Sequence, residues 1–419
     1  MRRFFAAALA VVMLFGAVFL GGCDILSDFS DDIGDLANFT PSSKAETLER
    51  ISKSERERSF SGYGYNSLKS EGLLELYGIF DDYINIPYSD DFSVDSEYSI
   101  KDVEEAFYAY RVDHPEVFWL SDTNDFAYYY SDDELVLQLT FCFENDDLIK
   151  AKTELEEAID DIVSAAPDNA TDYEIELYVN DVIVDGVEYD SNEDNPNRHN
   201  AYGALVDKTA VCDGYSKAFQ ILCNRLGVDC ITVDGIAKDF RERTGGHMWN
   251  CVKLDDDWYH VDSTWNDVET EVYSLRYSYL NLTTGEISED HEIGKLFSEI
   301  SNDEYDEEGL YNNFVPYCES TDYNYFEHEC TVLDDVEYGE DIIYSMAAAS
   351  AQGKNSFDFI ISGELDFDET LDLLAKEGYL YDWIDKANEI NGHSPSISHD
   401  SKICGLGERR VVTMGIEYE

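Results

Sequence analysis

The chain has 419 residues, 44% of them hydrophobic, which is enough for two or three domains with cores of their own. Acidic residues outnumber basic residues 91 to 28, giving a formal charge of −63. Nucleic acid and anionic membrane surfaces are therefore disfavoured as partners, because both would repel the chain. The acidic residues are spread along the sequence, which indicates a solvated surface rather than an acidic tail.

The N-terminus has the pattern of an export signal. Basic Met1-Arg2-Arg3 precedes an apolar run over 4–20, and Leu20-Gly21-Gly22-Cys23 follows. This end resembles the bacterial lipoprotein signal, in which the chain is cut before the cysteine and Cys23 is acylated. An uncleaved membrane anchor is the alternative. No later segment has 18 or more continuous apolar residues, so the lipid would be the only membrane attachment.

We therefore predict a signal peptide at 1–22, lipidation of Cys23, and a location on the outer face of the bacterial cytoplasmic membrane. Residues 23–60 are polar and aperiodic, which predicts a flexible tether. Residues 61–165 predict a small N-terminal α+β domain. Its expected elements are a helix capped by Ser99 and ending near Pro115, strands over 126–130 and 135–143, and a helix over 148–162.

A thiol in the region 166–298 is placed for nucleophilic catalysis. The region opens at Thr171, whose capping box predicts a helix. Cys212 comes just before apolar residues at helical spacing, and Gly227 suits the C-terminus of that helix. Because unpaired N–H groups and the helix dipole stabilise an anion at a helix N-terminus, we expect the pKa of Cys212 to lie below the usual value of about 8.5.

A histidine and an aspartate follow in two predicted strands. His247 lies near the start of the first strand and Asp262 near the end of the second, and the turn-forming run 255–257 separates them. An antiparallel hairpin would bring the two side chains together. The histidine could then take the thiol proton and later protonate a leaving amine, while the aspartate orients the ring.

These residues sit in motifs that resemble those of the transglutaminase-like superfamily, whose fold is papain-like and whose catalytic order along the chain is Cys, His, Asp. The motifs here are Val211-Cys212-Asp213-Gly214-Tyr215-Ser216, Gly246-His247-Met248-Trp249-Asn250 and Trp258-Tyr259-His260-Val261-Asp262-Ser263-Thr264-Trp265. The resemblance covers roughly residues 171–291 and is strongest with bacterial surface lipoprotein members. It implies a catalytic domain at 166–298 with Cys212, His247 and Asp262 as the triad.

The chain departs from animal transglutaminases at the nucleophile. Those enzymes carry Gln before and Trp after the cysteine, and a distant upstream Trp holds the oxyanion. Here Val211 and Asp213 flank Cys212, and no Trp lies between Trp119 and Cys212. Hydrolysis of an amide bond is therefore favoured over protein cross-linking. We expect the backbone N–H of Cys212 to form part of the oxyanion hole.

No cofactor and no metal site are predicted, because the histidines lack metal-ligand spacing and no paired Cys-x-x-Cys occurs. We expect His260 to face away from the triad and assign no catalytic role to His291. Two cysteine pairs are candidates for disulfides, although buried free thiols are equally compatible with the sequence. The pairs are Cys223 with Cys230 and Cys318 with Cys330.

A strand over 273–282 is expected to close the catalytic domain, and residues 299–419 predict a C-terminal α/β domain. Its expected elements are a helix over 341–351, a strand over 356–361, a helix over 370–388 and a strand over 410–418. Nothing in it carries a catalytic motif, so support of the catalytic domain is its expected role.

The sequence thus predicts an α+β protein with a papain-like, transglutaminase-like catalytic domain flanked by smaller N-terminal and C-terminal domains. Its predicted function is that of a lipid-anchored cysteine peptidase or amidase that acts through an acyl-enzyme on a peptide, protein or cell-wall amide. The alternative is a surface binding protein that keeps the papain-like shape without turnover. Substrate specificity and oligomeric state stay open.

Overall fold

A computed structural model describes most of the chain. The described residues are 12–14, 62–85, 92–95, 97–120, 126–131, 134–143, 145–238, 243–267, 276–294, 314–376, 378–406 and 410–419. They divide into unit 1, with Met1–Thr264 and Thr284–Cys318, and unit 2, with Trp265–Thr283 and Glu319–Glu419. No helix among the described residues is long and apolar enough to cross a membrane. The predicted lipidation site Cys23 and the whole of the predicted tether, residues 23–60, lie outside the described residues.

The first part of the chain contains both helices and strands. The helices are α1 (Tyr63–Ser67), α2 (Glu71–Ile84), α3 (Ile100–Val112), α4 (Asn145–Ser164), α5 (Asp172–Gly186), α6 (Cys212–Arg225), α7 (Ser263–Asn266) and α8 (Thr284–Ile287). The strands are β1 (Val12–Leu14), β2 (Phe92–Asp95), β3 (Phe126–Ser131), β4 (Glu134–Leu139), β5 (Glu188–Tyr189), β6 (Thr209–Ala210), β7 (Cys230–Lys238), β8 (Thr244–Leu254), β9 (Asp257–Val261) and β10 (His291–Ile293). A π-helical turn spans Gly203–Asp207.

The N-terminal part of unit 1 packs helices on an antiparallel sheet of order β1-β3-β4-β2. The predicted hairpin is confirmed, although its second strand ends at Leu139 and not at residue 143. The capping box at Ser99 is also confirmed, since Ser99 and Asp102 bond reciprocally. Buried Asp113 accepts hydrogen bonds from the N–H groups of Gly64 and Tyr65 and so caps the short helix α1.

The second part of unit 1 is an antiparallel sheet of order β10-β7-β8-β9. Helix α6 begins at Cys212 as predicted, and Gly227 follows its end with φ +91°. Two polar side chains bind the helix to the sheet. Ser216 Oγ donates to the carbonyl of Met248 at 2.8 Å, and Asn250 Nδ2 donates to the carbonyls of Ser216 at 2.9 Å and Ile231 at 3.2 Å.

Gly235 on β7 makes room for a tryptophan in this sheet. It pairs with His247 across the ladder. A Cβ atom at this position would overlap the carbonyl of Glu292 on β10 and come within 2.7 Å of the Trp249 ring. Glycine is therefore the residue that lets Trp249, which is fully buried, lie against the backbone between β7 and β10.

Unit 2 packs helices against a mixed sheet of order β11-β12-β14-β13. Its strands are β11 (Thr331–Leu333), β12 (Ser356–Ile361), β13 (Lys402–Leu406) and β14 (Val411–Gly415). Its helices are α9 (Tyr325–Glu329), α10 (Glu340–Ala351), α11 (Phe367–Lys376) and α12 (Tyr379–Asn391). The apolar core includes Phe359, Trp383 and Val412.

Two predicted elements are wrong. The single helix over 370–388 is two helices, α11 and α12, because Gly378 adopts φ +89° and starts a new helix. The strand over 273–282 is absent from the described residues 276–282, where Leu280 N–H closes a turn onto Tyr277 and Asn281 has φ +59°. The predicted boundaries between three domains stay a prediction, whereas the α+β character of the fold is confirmed.

Candidate active site

Cys212 is the first residue of α6, and its thiol is held between charged and backbone groups. The residue is 8% exposed. Its Sγ lies 3.2 Å from Asp213 Oδ1 and is bonded by the backbone N–H of Met248 on β8. The strand residue next to His247 therefore lies directly beside the thiol. Asp213 also contacts His199, with 2.8 Å between Oδ2 and Nδ1.

The β8–β9 hairpin brings His247 and Asp262 into contact, as predicted. Asn250 pairs with Val261 in this ladder, so His247 and Asp262 lie just beyond its last pair. The distance from His247 Nε2 to Asp262 Oδ2 is 2.7 Å. The other carboxylate oxygen, Oδ1, accepts the backbone N–H of Thr264 at 2.9 Å. Both oxygens of the buried carboxylate are thus bonded, which fixes the ring of His247.

The expectation of a lowered thiol pKa is wrong for the resting protein. Burial raises the pKa of Cys212 well above its ordinary value, and the charge and hydrogen bond of Asp213 raise it further. The N–H of Met248 acts in the opposite direction. Helix-terminal stabilisation is worth about 0.3–1 kcal/mol, whereas full burial shifts a pKa by roughly 3–5 units, so burial decides the direction.

His291, to which the sequence assigned no role, contacts the same carboxylate. Strand β10 pairs with β7 and places His291 opposite Ala237. His291 Nε2 is 3.2 Å from Asp262 Oδ2, and His291 Nδ1 is 2.5 Å from Asp290 Oδ1. Asp262 Oδ2 therefore lies between two imidazoles. The sequence around Asp290 and His291 has neither helical nor strand periodicity. It therefore gives no local signal that would predict the contact between His291 and Asp262.

These contacts set the charges in the site. Burial alone would raise the pKa of Asp262, but His247 and His291 hold it well below its usual range. Burial alone would lower the pKa of His291, but its bonds to Asp262 and Asp290 raise it. The carboxylate is therefore ionised at neutral pH and stabilises a positive charge on either ring.

His260 does not face away from the triad, contrary to the expectation. It pairs with Cys251 in the β8–β9 ladder and has no exposed surface. Its Nδ1 accepts the indole N–H of Trp249 at 3.1 Å and lies 3.2 Å from Cys251 Sγ. The Trp249 ring lies 6.2 Å from the His247 ring and 4.9 Å from the His291 ring. Trp249 therefore stands between His260 and the two imidazoles that contact Asp262.

Tyr189 borders the site on the solvent side. Its side chain is 54% exposed, and its ring lies 6.3 Å from that of Tyr215 on α6. Partial burial raises the pKa of Tyr189 to about 12, and the nearby negative charge of Asp213 contributes. An exposed aromatic ring this close to the thiol is suited to contact a substrate.

The four cysteines of the two candidate pairs are free thiols, which was the alternative left open by the sequence. Cys223 and Cys230 are buried free thiols that share a hydrogen bond. Cys318 and Cys330 are also free thiols. Cys318 contacts Cys251 rather than Cys330.

The fold and these side chains define an α+β domain with a thiol at a helix start beside the strand that carries the histidine of an imidazole–carboxylate pair. Residues 159–263 match the family model of the transglutaminase-like superfamily. This part of the chain is therefore a transglutaminase-like domain. The match includes the three residues of the predicted triad, whose catalytic roles stay a prediction.

Curated relatives of this domain are the kyphoscoliosis peptidases. The human protein is 30% identical over 142 residues, which are 32% of this chain and 21% of that protein. The mouse protein is 37% identical over 76 residues, which are 16% of this chain and 12% of that protein. The chain thus spans about a fifth or less of these relatives. Among solved structures, the crystal structure of a TGase has 13% identity and a TM-score of 0.25, over 35% of this chain and 45% of that one.

Replacing Asp213 by Asn is expected to lower the pKa of Cys212, because a negative charge 3.2 Å from the sulfur disappears. The rate of Cys212 alkylation at about pH 7 should rise several-fold, since one pKa unit changes the thiolate fraction about 10-fold and part of that gain is lost to weaker nucleophilicity. Peptide mass spectrometry after iodoacetamide treatment measures the rate. Asp256→Asn, in the exposed turn before β9, is the control, and an unchanged rate in Asp213→Asn would contradict the assignment.

Replacing His291 by Gln is expected to remove a pH-dependent part of the stability. The folded-state pKa of His291 is raised, so its contribution is complete below the unfolded value of about 6.5 and is lost as pH rises through the folded pKa. The wild type should therefore exceed the variant in free energy of unfolding by more at about pH 5.5 than at about pH 9. Urea unfolding followed by tryptophan fluorescence measures this difference. The exposed control His399→Gln should differ from the wild type by the same free energy of unfolding at both pH values. The same pH-independent difference in His291→Gln would contradict the prediction.

Proposed function

We propose that this protein is an extracytoplasmic, lipid-anchored thiol enzyme that opens amide bonds of peptides or proteins through an acyl-enzyme on Cys212. Hydrolysis is its main reaction. The single observation that carries the proposal is the buried 2.7 Å contact between His247 and Asp262 on the β8–β9 hairpin. Met248, the residue after His247 on β8, bonds the thiol of Cys212 through its backbone N–H. The transglutaminase-like domain and the naming of the curated relatives as peptidases support it.

The chemistry follows from the protonation states of the free protein. Cys212 is a thiol at rest, because burial and Asp213 raise its pKa. Since His247 binds Asp262 through Nε2, proton transfer with the thiol runs through Nδ1. Transfer of the proton to Nδ1 creates a thiolate and an imidazolium, and the ionised Asp262 stabilises the imidazolium.

The thiolate then attacks the amide carbonyl, and the carbonyl oxygen becomes an oxyanion. The backbone N–H of Cys212 at the start of α6 is a donor for this charge. Collapse of the tetrahedral intermediate breaks the C–N bond, and the imidazolium gives its proton to the leaving amine. Water, deprotonated by His247, attacks the thioester and releases the carboxylic acid, which restores the thiol.

Hydrolysis is favoured over transfer to an amine by the residues around the thiol. Asp213 places a carboxylate at the nucleophile, where animal transglutaminases carry a Trp. An amine acceptor would be protonated in solution, and it would have to lose its proton in this site before it could attack. Water is already neutral and gives its proton to His247 only as it attacks, so the acyl group passes to water.

One observation favours a second candidate, a binding protein that keeps the papain-like shape without turnover. Cys212 is only 8% exposed and its thiol is protonated at rest. A thiol of this kind does not react unless a ligand opens the site or drives the proton transfer. The two candidates therefore differ in whether Cys212 becomes acylated by a substrate.

The proposed location and anchor rest on the sequence. The basic start, the apolar run 4–20 and Cys23 after Gly22 are the features of a lipoprotein signal. Residues 12–14 form β1 at the edge of a sheet with β3, and cleavage before Cys23 would remove this strand from the mature protein. The mature chain would then be held at the outer face of the membrane by the lipid alone.

Cys212→Ala is expected to lower the rate of peptide hydrolysis by about 10⁴-fold or more, because the acyl-enzyme can no longer form. The measurement is a screen of peptide and cell-wall amides by mass spectrometry, with Cys404→Ala as the control at an exposed cysteine. A labelled primary amine is included as a competing acceptor. Incorporation of the amine at a rate above hydrolysis would identify a transamidase. A wild type that never forms a Cys212 thioester while still binding peptide would favour the binding protein.

Cys23→Ala is expected to abolish lipidation, because Cys23 is the proposed acceptor. Metabolic labelling with an alkyne fatty acid in a bacterial host, followed by mass spectrometry of the N-terminal peptide, measures the modification. Cys142→Ala, in the N-terminal part of unit 1, should leave the label unchanged. Label on the wild type that survives in Cys23→Ala would contradict the proposed anchor.

A further inference from the structure

A second cluster of metal-ligating side chains lies behind the catalytic residues in unit 1. Its members are Cys251 on β8, His260 on β9 and Cys318 after the sheet. Each offers one ligand atom, and these atoms all lie within 4.8 Å of one another. Cys251 and His260 have no exposed surface, and Cys318 is 2% exposed. The proposed amide chemistry uses none of the three.

The contacts within the cluster are specific. The Cys318 sulfur lies within 4.8 Å of Cys251 Sγ and of a ring nitrogen of His260, and it donates to the carbonyl of Pro316 at 3.7 Å. Thr284 Oγ1 is 3.2 Å from His260 Nε2 and accepts the backbone N–H of Cys318 at 2.9 Å, and Thr284 N–H in turn donates to the Cys318 carbonyl at 2.9 Å. Two thiols and an imidazole are therefore held together by residues from three separate parts of the sequence.

We propose that Cys251, His260 and Cys318 bind a single divalent transition metal ion, with zinc as the native ion. Two thiolates and one imidazole are a ligand set that zinc prefers, and they discriminate against calcium and magnesium, which take oxygen ligands. The inference is independent of the proposed amide hydrolysis.

The dimensions of the cluster fit a tetrahedral ion. Metal–sulfur bonds of about 2.3 Å and metal–nitrogen bonds of about 2.0 Å separate neighbouring ligand atoms by roughly 3.5–3.8 Å. The observed spacing of Cys251 Sγ and His260 Nδ1 is 3.2 Å, and all three ligand atoms fall within 4.8 Å. Small side-chain rotations therefore suffice to bind the ion, and any proton that remains on the two sulfurs is released to solvent. Water takes the fourth position.

The surroundings of His260 define how it would bind. With Nδ1 as the ligand, Nε2–H donates to Thr284 Oγ1, which orients the ring as the outer partners of metal-bound histidines do. Nδ1 now accepts the indole N–H of Trp249 at 3.1 Å. A metal ion would take the same lone pair, so binding must break this hydrogen bond. Trp249 is therefore a built-in reporter of metal binding.

An ion here would act on the catalytic hairpin. Cys251 lies on the same strand as His247, and His260 is two residues before Asp262. The ion would join both strands of the hairpin to the segment that ends at Cys318. We expect it to stabilise the register that brings His247 to Asp262, without touching either residue.

The test is a cobalt titration of the reduced, metal-free full chain. We expect one equivalent of Co²⁺ to produce thiolate-to-cobalt charge-transfer absorption and the visible bands of a tetrahedral ion, with a change in tryptophan fluorescence. Zn²⁺ should displace the bands. Charge-transfer absorption is required because the many surface carboxylates can bind Co²⁺ but cannot produce it. Its absence from the reduced wild type would overturn the proposal.

Variants locate the site. Cys251→Ser and Cys318→Ser should each lose charge-transfer intensity, and Cys404→Ser, at an exposed cysteine, should keep it. Thr284→Ala should keep the bands while binding Co²⁺ about 10-fold to 100-fold more weakly, as expected for loss of an orienting partner. Bands that persist in both Cys251→Ser and Cys318→Ser would overturn the assignment. A Cys251–Cys318 disulfide in protein that takes up no metal after reduction would do so as well.

Discussion

The part of unit 1 that contains Cys212, His247 and Asp262 depends on the burial of one carboxylate. Asp262 has no exposed surface, and an ionised group so placed is tolerated only when it is fully bonded. Thr264 N–H satisfies one oxygen, and the imidazoles of His247 and His291 satisfy the other. Each donor comes from a different place, so the chain can bury Asp262 only by forming the β8–β9 hairpin and pairing β10 with β7 in the observed registers. The contacts that allow Asp262 to be buried are therefore also the contacts that orient the ring of His247.

The protonation state of Cys212 is set by a different balance. The start of α6 offers N–H groups, and the backbone of Met248 adds another, yet Cys212 remains a thiol because desolvation and Asp213 act against the anion. A resting thiol is compatible with a triad, since the proton has only to move when a substrate is present. A resting thiol is also less prone to oxidation, because oxidants attack the thiolate.

Sequence patterns predicted the parts of the site that are local. The start of α6, the hairpin and the contact of His247 with Asp262 follow from helical spacing, alternation and a short turn. The contact of His291 with Asp262 could not be predicted, because it requires β10 to pair with β7, a strand more than fifty residues earlier in the chain. The cluster of Cys251, His260 and Cys318 could not be predicted for the same reason. Its ligands have no motif spacing, and only the packed sheet brings them together.

Errors of prediction also have physical causes. Gly378 breaks a helix whose apolar spacing continues on both sides, so periodicity alone joined α11 to α12. His260 was placed on the wrong side even though residues two apart in a strand share a face. The faces of His260 and Asp262 relative to each other therefore do not depend on the register of β9.

Asn250 belongs to the histidine motif but touches none of the reacting groups. Its amide on β8 donates to the carbonyls of Ser216 on α6 and Ile231 on β7. It therefore joins the helix that begins at Cys212 to the sheet that carries His247. Only a side chain with two N–H donors can satisfy both carbonyls from one position. A homologous chain could therefore keep its thiol, imidazole and carboxylate and still be inert if this amide were lost. Among such proteins, the residue that separates an enzyme from a catalytically silent scaffold need not be one that meets the substrate.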